Sequence, residues 1–204
     1  ATLRQYRNYA NLAESYSTIP SRFLTITHGV SAVGKSSVAM RLVEALGAIR
    51  LRSDVIRKQL FGQQTAENAV GDGIYNADAS AATYNKLHEL AGIVLRAGFP
   101  VVIDATYLKR EQRDAAAQVA EATGVPCLIL DCTAPDAVIE GWLAHRKSVG
   151  TDPSDATLEV VKAQQASREP LGADEILRSK RVETHNSKSL DTLIADIRQR
   201  LPGL

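Results

Sequence analysis

Eight consecutive residues match the pattern G-x-x-x-x-G-K-[ST], which is typical of loops that bind phosphate groups. They are Gly29, Val30, Ser31, Ala32, Val33, Gly34, Lys35 and Ser36. The two glycines let the backbone curl so that successive N–H groups point at phosphate oxygens. The Lys35 ammonium can reach the β- and γ-phosphates of a nucleotide, and the Ser36 hydroxyl can bind Mg²⁺. We therefore predict that residues 29–37, including Ser37, bind a nucleoside triphosphate.

The residues around this loop have the order that such a loop requires. An apolar, β-branched run at residues 23–27 leads into Gly29 and predicts a strand. Apolar residues then recur three or four positions apart, as at Val38 and Leu42, and predict a helix that ends at Gly47. Phosphate-binding loops occur in this unit of strand, loop and helix, so the context makes the match specific.

Further along the chain, strand patterns alternate with helix patterns. Strands are predicted at residues 48–53, 100–104, 126–131 and 180–184, with helices between them. This alternation is typical of a parallel sheet that is covered by helices on both faces. In such a sheet, ligands bind beyond the carboxyl ends of the strands. Residues at those ends are therefore the main candidates for chemistry.

Asp104 lies at one of these strand ends, directly after the apolar residues 101–103. A carboxylate in this position can hold Mg²⁺, either directly or through water. Alternatively, an aspartate at a strand end caps a turn and binds no metal. We predict Ser36 and Asp104 as the metal-binding residues.

Asp54 follows the second predicted strand, and Arg57 comes one helical turn later. The carboxylate can take a proton from an acceptor hydroxyl, and the guanidinium can stabilise a phosphoryl group during transfer. The alternative is an aspartate that caps a helix beside a solvated arginine. We predict Lys35, Asp54 and Arg57 as catalytic residues.

Arg146 and Lys147 end a predicted helix just before a loop. Cations in this place can close over the phosphates as a lid and exclude water. They can equally be favourable charges at an exposed helix end. We predict Arg146 as a fourth catalytic residue, in a lid at about 146–168.

Two further groups of basic residues allow two interpretations each. Lys109, Arg110 and Arg113 begin a helix where acidic residues are usual, which indicates either a nearby anion or a solvated basic face. Arg50 and Arg52 alternate along a strand and so share one face of it. They can line an acceptor site or keep an edge strand soluble.

Composition excludes several function classes. The chain has 204 residues, 45% of them hydrophobic and 23% charged, which suits one globular domain with a well-covered core. Its net charge of +1 provides no overall field for nucleic acid or an anionic membrane. No apolar run approaches the ~20 residues of a membrane helix, and no signal peptide is visible.

Cys127 and Cys132 lie on one predicted strand, five positions apart. Their side chains therefore face opposite sides of the sheet, which argues against a disulfide or a metal site between them. Reduced thiols fit a cytoplasmic protein.

The chain resembles the family of P-loop kinases that includes the zeta-toxin-like and polynucleotide-kinase-like kinases. The resemblance lies in motifs at residues 28–36, 46–58, 73–75, 102–106 and 152–156, which occur in this order. More closely, the chain is similar to the ATP-binding kinase domain that is often fused behind an aminoglycoside-phosphotransferase-like domain in bacteria.

This resemblance implies an α/β P-loop NTPase fold. The expected fold is a three-layer sandwich with a five-stranded parallel sheet of order 2-3-1-4-5, helices on both faces and a small helical lid. The resemblance also implies ATP and Mg²⁺ as cofactors. Related kinases carry Asp-x-x-Arg after strand two, with the aspartate as general base, and Asp54 and Arg57 match this motif.

The resemblance covers roughly residues 6–170, and the sequence pattern divides the chain into two expected parts. Residues 22–204 form the P-loop kinase domain, and residues 1–21 form a helical extension with a stripe of tyrosines that includes Tyr6 and Tyr9. The expected partners are a nucleotide, a small-molecule acceptor and, in a longer parent protein, an aminoglycoside-phosphotransferase-like domain.

Three functions remain open from the sequence. The first is an ATP-dependent kinase that acts on a hydroxyl of a small molecule or nucleotide-like acceptor. The second is a 5′-hydroxyl polynucleotide kinase, which the balanced charge and the aromatic content of 5% do not favour. The third is a slow ATPase that acts as a switch or interaction module. The N-terminal tyrosine stripe favours this function if it docks on a partner domain.

Overall fold

The computed structural model describes residues 3, 5–7, 9–10, 21–62, 76–149 and 156–200, without the side chains of 146–149 and 200. Within these residues, five strands form one parallel sheet in the order β2-β3-β1-β4-β5. The strands are β1 (Leu24–His28), β2 (Ile49–Arg52), β3 (Val101–Asp104), β4 (Cys127–Thr133) and β5 (Ser179–Glu183). The predicted strand order is confirmed.

Helices follow the strands and cover both faces of the sheet. They are α1 (Lys35–Leu46), α2 (Ser53–Phe61), α3 (Ala77–Arg96), α4 (Arg110–Thr123), α5 (Asp136–Val149), α6 (Leu158–Ser167), α7 (Ala173–Leu177) and α8 (Ser187–Arg200). Their periodic apolar residues made most of them predictable, but the five-residue helix α7 is too short to have a periodic pattern.

Two apolar cores lie on opposite faces of the sheet. One core packs α1 and α8 against the sheet through residues such as Leu42 and Leu193. The other packs α3 and α4 through residues such as Leu87 and Ala116. All four of these side chains are fully buried, and burial of each leucine contributes about 2 kcal/mol. The two cores hold the sheet rigidly, so that its carboxyl edge is a fixed platform.

Two boundaries differ from the predicted ones. Helix α2 begins at Ser53, so Asp54 lies in its first turn rather than at the end of a strand. The polar residues of the segment 152–155 predict a helix cap there. Helix α6 instead begins after Thr157, whose hydroxyl accepts a hydrogen bond from the Val160 N–H. A threonine at this position stabilises the free N–H groups of the first turn.

Some predicted segments fall largely outside the described residues. Glycines and the lack of a clear periodicity predict a loop at residues 62–77. This loop and much of the lid predicted at 146–168 belong to this group. In the predicted N-terminal extension, residues 3, 5–7 and 9–10 are helical, and Tyr6 and Tyr9 are exposed. The division of the chain at residue 21 stays a prediction.

None of the helices within the described residues combines the length and the apolar character that a membrane crossing needs.

Candidate active site

The loop after β1 depends on its two glycines. Gly29 has a φ of 138°, and a Cβ there would lie 2.6 Å from the carbonyl oxygen of Cys132 on β4. Gly34 has a φ of 88°, and a Cβ there would lie 2.9 Å from the Cβ of Thr184. Only glycine adopts such backbone angles without strain and also permits these close approaches. The pattern in the sequence therefore reflects a steric requirement of the fold.

Thr184, which follows β5, holds the loop from below. Its hydroxyl lies 2.6 Å from the carbonyl oxygen of Val33 and 3.2 Å from that of Thr133. One hydroxyl proton serves these two carbonyls, which ties the loop to the ends of two strands. The loop is thus preorganised by a residue about 150 positions away in the chain.

Lys35 begins α1 and is almost completely buried. Its Nζ donates a hydrogen bond to the carbonyl oxygen of Val30, at 2.6 Å. This bond curls the side chain back over the loop. An ammonium held in this way is already oriented toward an anion that binds to the loop.

A cavity of about 180 Å³ opens in front of the loop. Its wall consists of the loop, the start of α2 and the end of β3, and so combines residues from three parts of the chain. The lining residues are Ser31, Ala32, Gly34, Lys35, Ser36, Ser37, Arg52, Ser53, Asp54, Asp104, Ala105 and Thr106. The predicted residues Lys35, Ser36, Asp54 and Asp104 therefore meet at one cavity.

Asp104 binds several donors through a single oxygen. Its Oδ2 accepts a hydrogen bond from the Ser36 hydroxyl at 2.8 Å. It also accepts two from Arg50, one from Nε at 3.1 Å and one from a terminal nitrogen. The Nε of Arg52 lies 3.9 Å from the same oxygen. The sequence pattern did place Arg50 and Arg52 on one face, but their partner became visible only in the fold.

This donor set suits a hard cation such as Mg²⁺. Because the Ser36 hydroxyl proton points at Asp104, the lone pairs of its oxygen are left for another partner. Mg²⁺ prefers oxygen ligands and keeps several waters. Within the described residues, no group of three or more histidine, cysteine or acidic residues could hold a metal without other ligands. Ser36 and Asp104 therefore fit a metal whose remaining ligands are phosphate oxygens and water.

Asp54 lies beside this cluster in the first turn of α2. Loss of hydration on burial raises the pKa of its carboxyl, and the charge of Asp104 raises it further, while Lys35, Arg52 and Arg57 act in the opposite direction. The alternative role as a helix cap is wrong, because the cap position belongs to Arg52 and has no side-chain hydrogen bond. A carboxylate with a raised pKa is a better proton acceptor.

Arg57 is buried on the next turn of α2, where one terminal nitrogen donates to the Ser80 hydroxyl at 3.4 Å. Its charge lowers the pKa of Asp54, as stated above. Arg57 therefore acts on Asp54 electrostatically, but of the two only Asp54 lines the cavity.

Thr106 forms part of the cavity wall and is linked to two tyrosines. The backbone N–H of Tyr107 donates to the Tyr84 hydroxyl, and this hydroxyl lies 3.1 Å from the Thr106 hydroxyl. Either of the two hydroxyls can donate to the other. Thr106 therefore connects the cavity wall to the buried Tyr84 through a hydrogen bond.

The region that was predicted as a lid contributes contacts that sequence reasoning missed. On α6, the amide oxygen of Gln164 accepts a hydrogen bond from the backbone N–H of Ser31 at 2.7 Å. Just after this helix, Arg168 donates to Asp131 at 2.8 Å, and His28 lies 2.8 Å from the same carboxylate oxygen. Arg146 belongs to α5, but its side chain lies outside the described residues. Gln164 has no distinctive motif, so only the fold reveals it.

The basic start of α4 has acidic partners in the protein itself. Lys109 binds Glu169, Arg110 binds Asp174 and Arg113 binds Glu175. The anion indicated by the sequence is therefore a set of carboxylates that fixes residues 169–175 to α4. The interpretation as a solvated basic face is wrong for Arg113, which is fully buried.

Comparison with known proteins identifies the family. A profile of the AAA domain family (AAA_33) matches residues 24–171, more than half of the chain. The chain belongs to this family. The matched segment contains the loop and both carboxylates of the site, Asp54 and Asp104.

Curated relatives share this AAA domain region. An uncharacterized protein of Mycobacterium tuberculosis, Rv2004c, is 29% identical over 146 residues, which are 70% of this chain and 29% of the relative. A protein of Mycobacterium bovis, Mb2027c, matches to the same extent. The aligned region thus spans less than a third of the length of these relatives.

Solved structures share the fold of this AAA domain protein. A sugar kinase from Janibacter sp. has a TM-score of 0.63 at 20% identity, covering 86% of this chain and 94% of its own. A gluconokinase from Sinorhizobium meliloti has a TM-score of 0.59 at 19% identity, covering 89% and 98%. The APS kinase CysC of Mycobacterium tuberculosis, in complex with AMPPNP and APS, has a TM-score of 0.61 at 19% identity, covering 88% and 99%. At these identities the likeness establishes the fold alone.

Proposed function

We propose that this protein is an ATP- and Mg²⁺-dependent kinase that transfers a phosphoryl group to a hydroxyl of a small molecule or nucleotide-like acceptor. The observation that carries the proposal is the single cavity lined by Lys35, Ser36, Asp54 and Asp104. A phosphate-binding ammonium, a pair of oxygen ligands and a carboxylate with a raised pKa then lie within one site. Phosphoryl transfer to an alcohol needs these three parts.

Each residue has a distinct task in this mechanism. The loop amides and Lys35 hold the β- and γ-phosphates. Asp54 accepts the proton of the acceptor hydroxyl as its oxygen bonds to the γ-phosphorus, and the bond from that phosphorus to the bridging oxygen breaks, which releases ADP. Ser36 and Asp104 hold Mg²⁺, which when bound neutralises charge on the phosphate oxygens. Arg57 and, from the lid, Arg146 stabilise the charge of the group in transfer.

The names of the structural neighbours support the class of reaction. They include a sugar kinase, a gluconokinase and an APS kinase. The last was solved with AMPPNP, which supports ATP as the nucleotide. We propose that this chain shares the small-molecule character of these acceptors, and its net charge of +1, which provides no overall field for nucleic acid, supports this.

The length of the curated relatives supports a second part of the proposal. Because the aligned region is 29% of the relative, we propose that the domain works within a longer, cytoplasmic protein. Its partner there is an aminoglycoside-phosphotransferase-like domain. Sequencing of the full reading frame and purification of the whole protein would test this arrangement.

A phosphorylation screen tests the proposed activity. Purified protein is incubated with labelled ATP and Mg²⁺ and with sugars, nucleosides, aminoglycosides or oligonucleotides in turn. We expect label in one small-molecule class, and no label in that class with Asp54→Ala, which should still bind ATP. Transfer only to oligonucleotides, with a steep salt dependence, would indicate the polynucleotide kinase.

The third function predicts a different result for the same variant. A nucleotide-dependent switch would hydrolyse ATP slowly without any acceptor, and Asp54→Ala would leave this hydrolysis unchanged. Lys35→Met serves as the common control, because loss of the ammonium should weaken nucleotide binding under every version of the proposal. If Lys35→Met bound ATP as tightly as the unchanged protein, the site would be assigned wrongly.

A further inference from the structure

Arg50 forms an ion pair with Asp104, which lines the cavity, and the mechanism above gives a role to Asp104 but none to Arg50. The Asp104 carboxylate is 5% exposed and the Arg50 side chain 15%. Two nitrogens of the guanidinium bind the same carboxylate oxygen. Charge-assisted bonds of this kind are about twice as strong as bonds between neutral groups. Arg50 therefore holds Asp104 firmly before any ligand arrives.

The pairing of β2 with β3 brings Arg50 close to Asp104. In the pairing of β2 with β3, Arg52 lies opposite Asp104 and Arg50 lies opposite Val102. Side chains two positions apart share a face of the sheet, so both arginines are on the face of Asp104. This is also the face that α1 covers, because Val102 belongs to the same core as Val38. Ser36, in the first turn of α1, reaches the carboxylate from above.

The charges around Asp104 disfavour a cation that arrives alone. Arg50 neutralises the carboxylate, Arg52 lies within 3.9 Å of it, and Lys35 belongs to the same cavity wall. A dication near Ser36 would therefore meet three positive side chains against two carboxylates, of which Asp104 is already paired and Asp54 lies across the same cavity. Since Coulomb energy falls slowly with distance in a partly buried site, this repulsion is substantial. A nucleotide tail with several negative charges reverses this balance.

We propose that Arg50 prevents a free divalent cation from binding at Ser36 and Asp104, so that the metal enters the site only together with the nucleotide. This inference rests on the proposed function, because it takes Ser36 and Asp104 as the metal-binding residues. It assigns Arg50 a positioning role, since Arg50 acts through Asp104. Conditional binding of this kind keeps the phosphate loop open for the nucleotide.

Binding of Mn²⁺ without nucleotide tests the proposal. Mn²⁺ has the ligand preference of Mg²⁺ and can be followed by electron paramagnetic resonance. We expect weak binding to the unchanged protein and roughly tenfold tighter binding to Arg50→Gln, from the loss of one cation beside the site. The double variant with Asp104→Asn should lose this gain. Arg50→Lys, which keeps the charge, should behave as the unchanged protein.

A matched control removes a positive charge elsewhere on the same face. Arg41 lies on α1, about half exposed, 3.8 Å from Asp191. Arg41→Gln should leave Mn²⁺ binding unchanged, which separates the local effect from net charge. Circular dichroism and melting curves verify folding. If Arg50→Gln does not fold, Arg52→Gln decides the question, with an expected gain of about threefold because Arg52 is farther from the carboxylate.

Two results of the Mn²⁺ titration would overturn the proposal. It is wrong if folded Arg50→Gln binds free Mn²⁺ no better than the unchanged protein, or if the unchanged protein binds free Mn²⁺ as tightly as the variant. A second titration, of Mn²⁺ with AMPPNP, distinguishes this failure from failure of the proposed function. Absence of any metal–nucleotide binding to the unchanged protein would contradict the function itself, whatever Arg50 does.

Discussion

Two buried carboxylates in this chain, Glu175 and Asp104, each form an ion pair with an arginine. The two pairs differ in how many of their hydrogen-bonding groups are already used. Glu175 and Arg113 are both fully buried between α4 and α7. The Arg113 guanidinium makes five hydrogen bonds, two to Glu175 and one each to the carbonyl oxygens of Tyr107, Glu169 and Pro170. A guanidinium has five N–H donors, so this pair is complete.

In the pair of Arg50 and Asp104, the carboxylate still has an oxygen without a hydrogen bond to the described part of the chain. Within the described residues, the hydrogen bonds of Asp104 converge on Oδ2, and its other oxygen has no such contact. The cavity begins at this carboxylate. The difference teaches that burial of an ion pair does not by itself indicate function. A fully bonded pair anchors a chain segment, whereas a pair with unused acceptor capacity beside a cavity can bind a ligand.

Replacing Arg113 should have the largest effect on stability. Arg113→Met leaves the Glu175 charge buried without its partner, and loss of one member of such a pair lowers the free energy of unfolding by about 3–5 kcal/mol. Urea unfolding measures this loss. Arg110→Gln is the matched control, since Arg110 forms an exposed pair with Asp174, and we expect it to change stability little. Equal effects of the two variants would contradict the comparison.

Replacing Asp104 should reduce activity strongly and stability only moderately. Asp104→Asn keeps an acceptor oxygen for Ser36 and Arg50 but loses the charge that helps to hold Mg²⁺. We expect a fall in phosphoryl transfer of about 100-fold or more, with a smaller loss of stability than in Arg113→Met. Initial rates with saturating Mg²⁺ and ATP, together with urea unfolding of the same sample, measure both quantities. A variant that is fully active would exclude Asp104 from the reaction.

Acid should affect the two regions at different pH. Burial raises the pKa of Asp54 above its ordinary 3.8, so the base is lost, and transfer falls, at a higher pH than for an ordinary aspartate. Burial acts in the same direction on Glu175, but its bonds to Arg113 and Gly172 outweigh it and lower its pKa below 4.5. The contribution of Glu175 to stability therefore persists until the pH falls below that value. Over pH 3–7 we compare the transfer rate with the difference in unfolding free energy between the unchanged protein and Glu175→Gln, and the order would be refuted if that difference disappeared at a higher pH than the rate.

A smaller effect is expected at His88, which lies near the cavity through Tyr107. Burial lowers the pKa of His88 to about 4 from 6.5. The unfolded chain therefore binds a proton before the folded one, and stability falls as the pH drops from about 6.5 to about 4. His88→Gln should flatten this part of the stability curve. His185→Gln, at an exposed histidine, is the control and should leave the curve unchanged.

Much of the fold was predictable, because local patterns carry it. The alternation of strands and helices, the two glycines of the loop and the apolar stripes predicted a parallel sheet, and the order 2-3-1-4-5 that the resemblance implied is confirmed. The prediction was less accurate at element ends. Asp54 turned out to lie within α2, since the helix begins at Ser53 without a capping side chain that the sequence could indicate.

The sequence alone determined the loop after β1 that we propose to bind phosphate, since Gly29, Gly34, Lys35 and Ser36 are close in the chain and their spacing encodes the geometry. Tertiary structure decided the partners of the charged residues. Arg50 meets Asp104 through strand pairing across 54 positions, and Arg113 meets Glu175 across 62. The physical reason is that an ion pair depends on which strands and helices become neighbours, and a linear pattern contains the charges but not that neighbourhood.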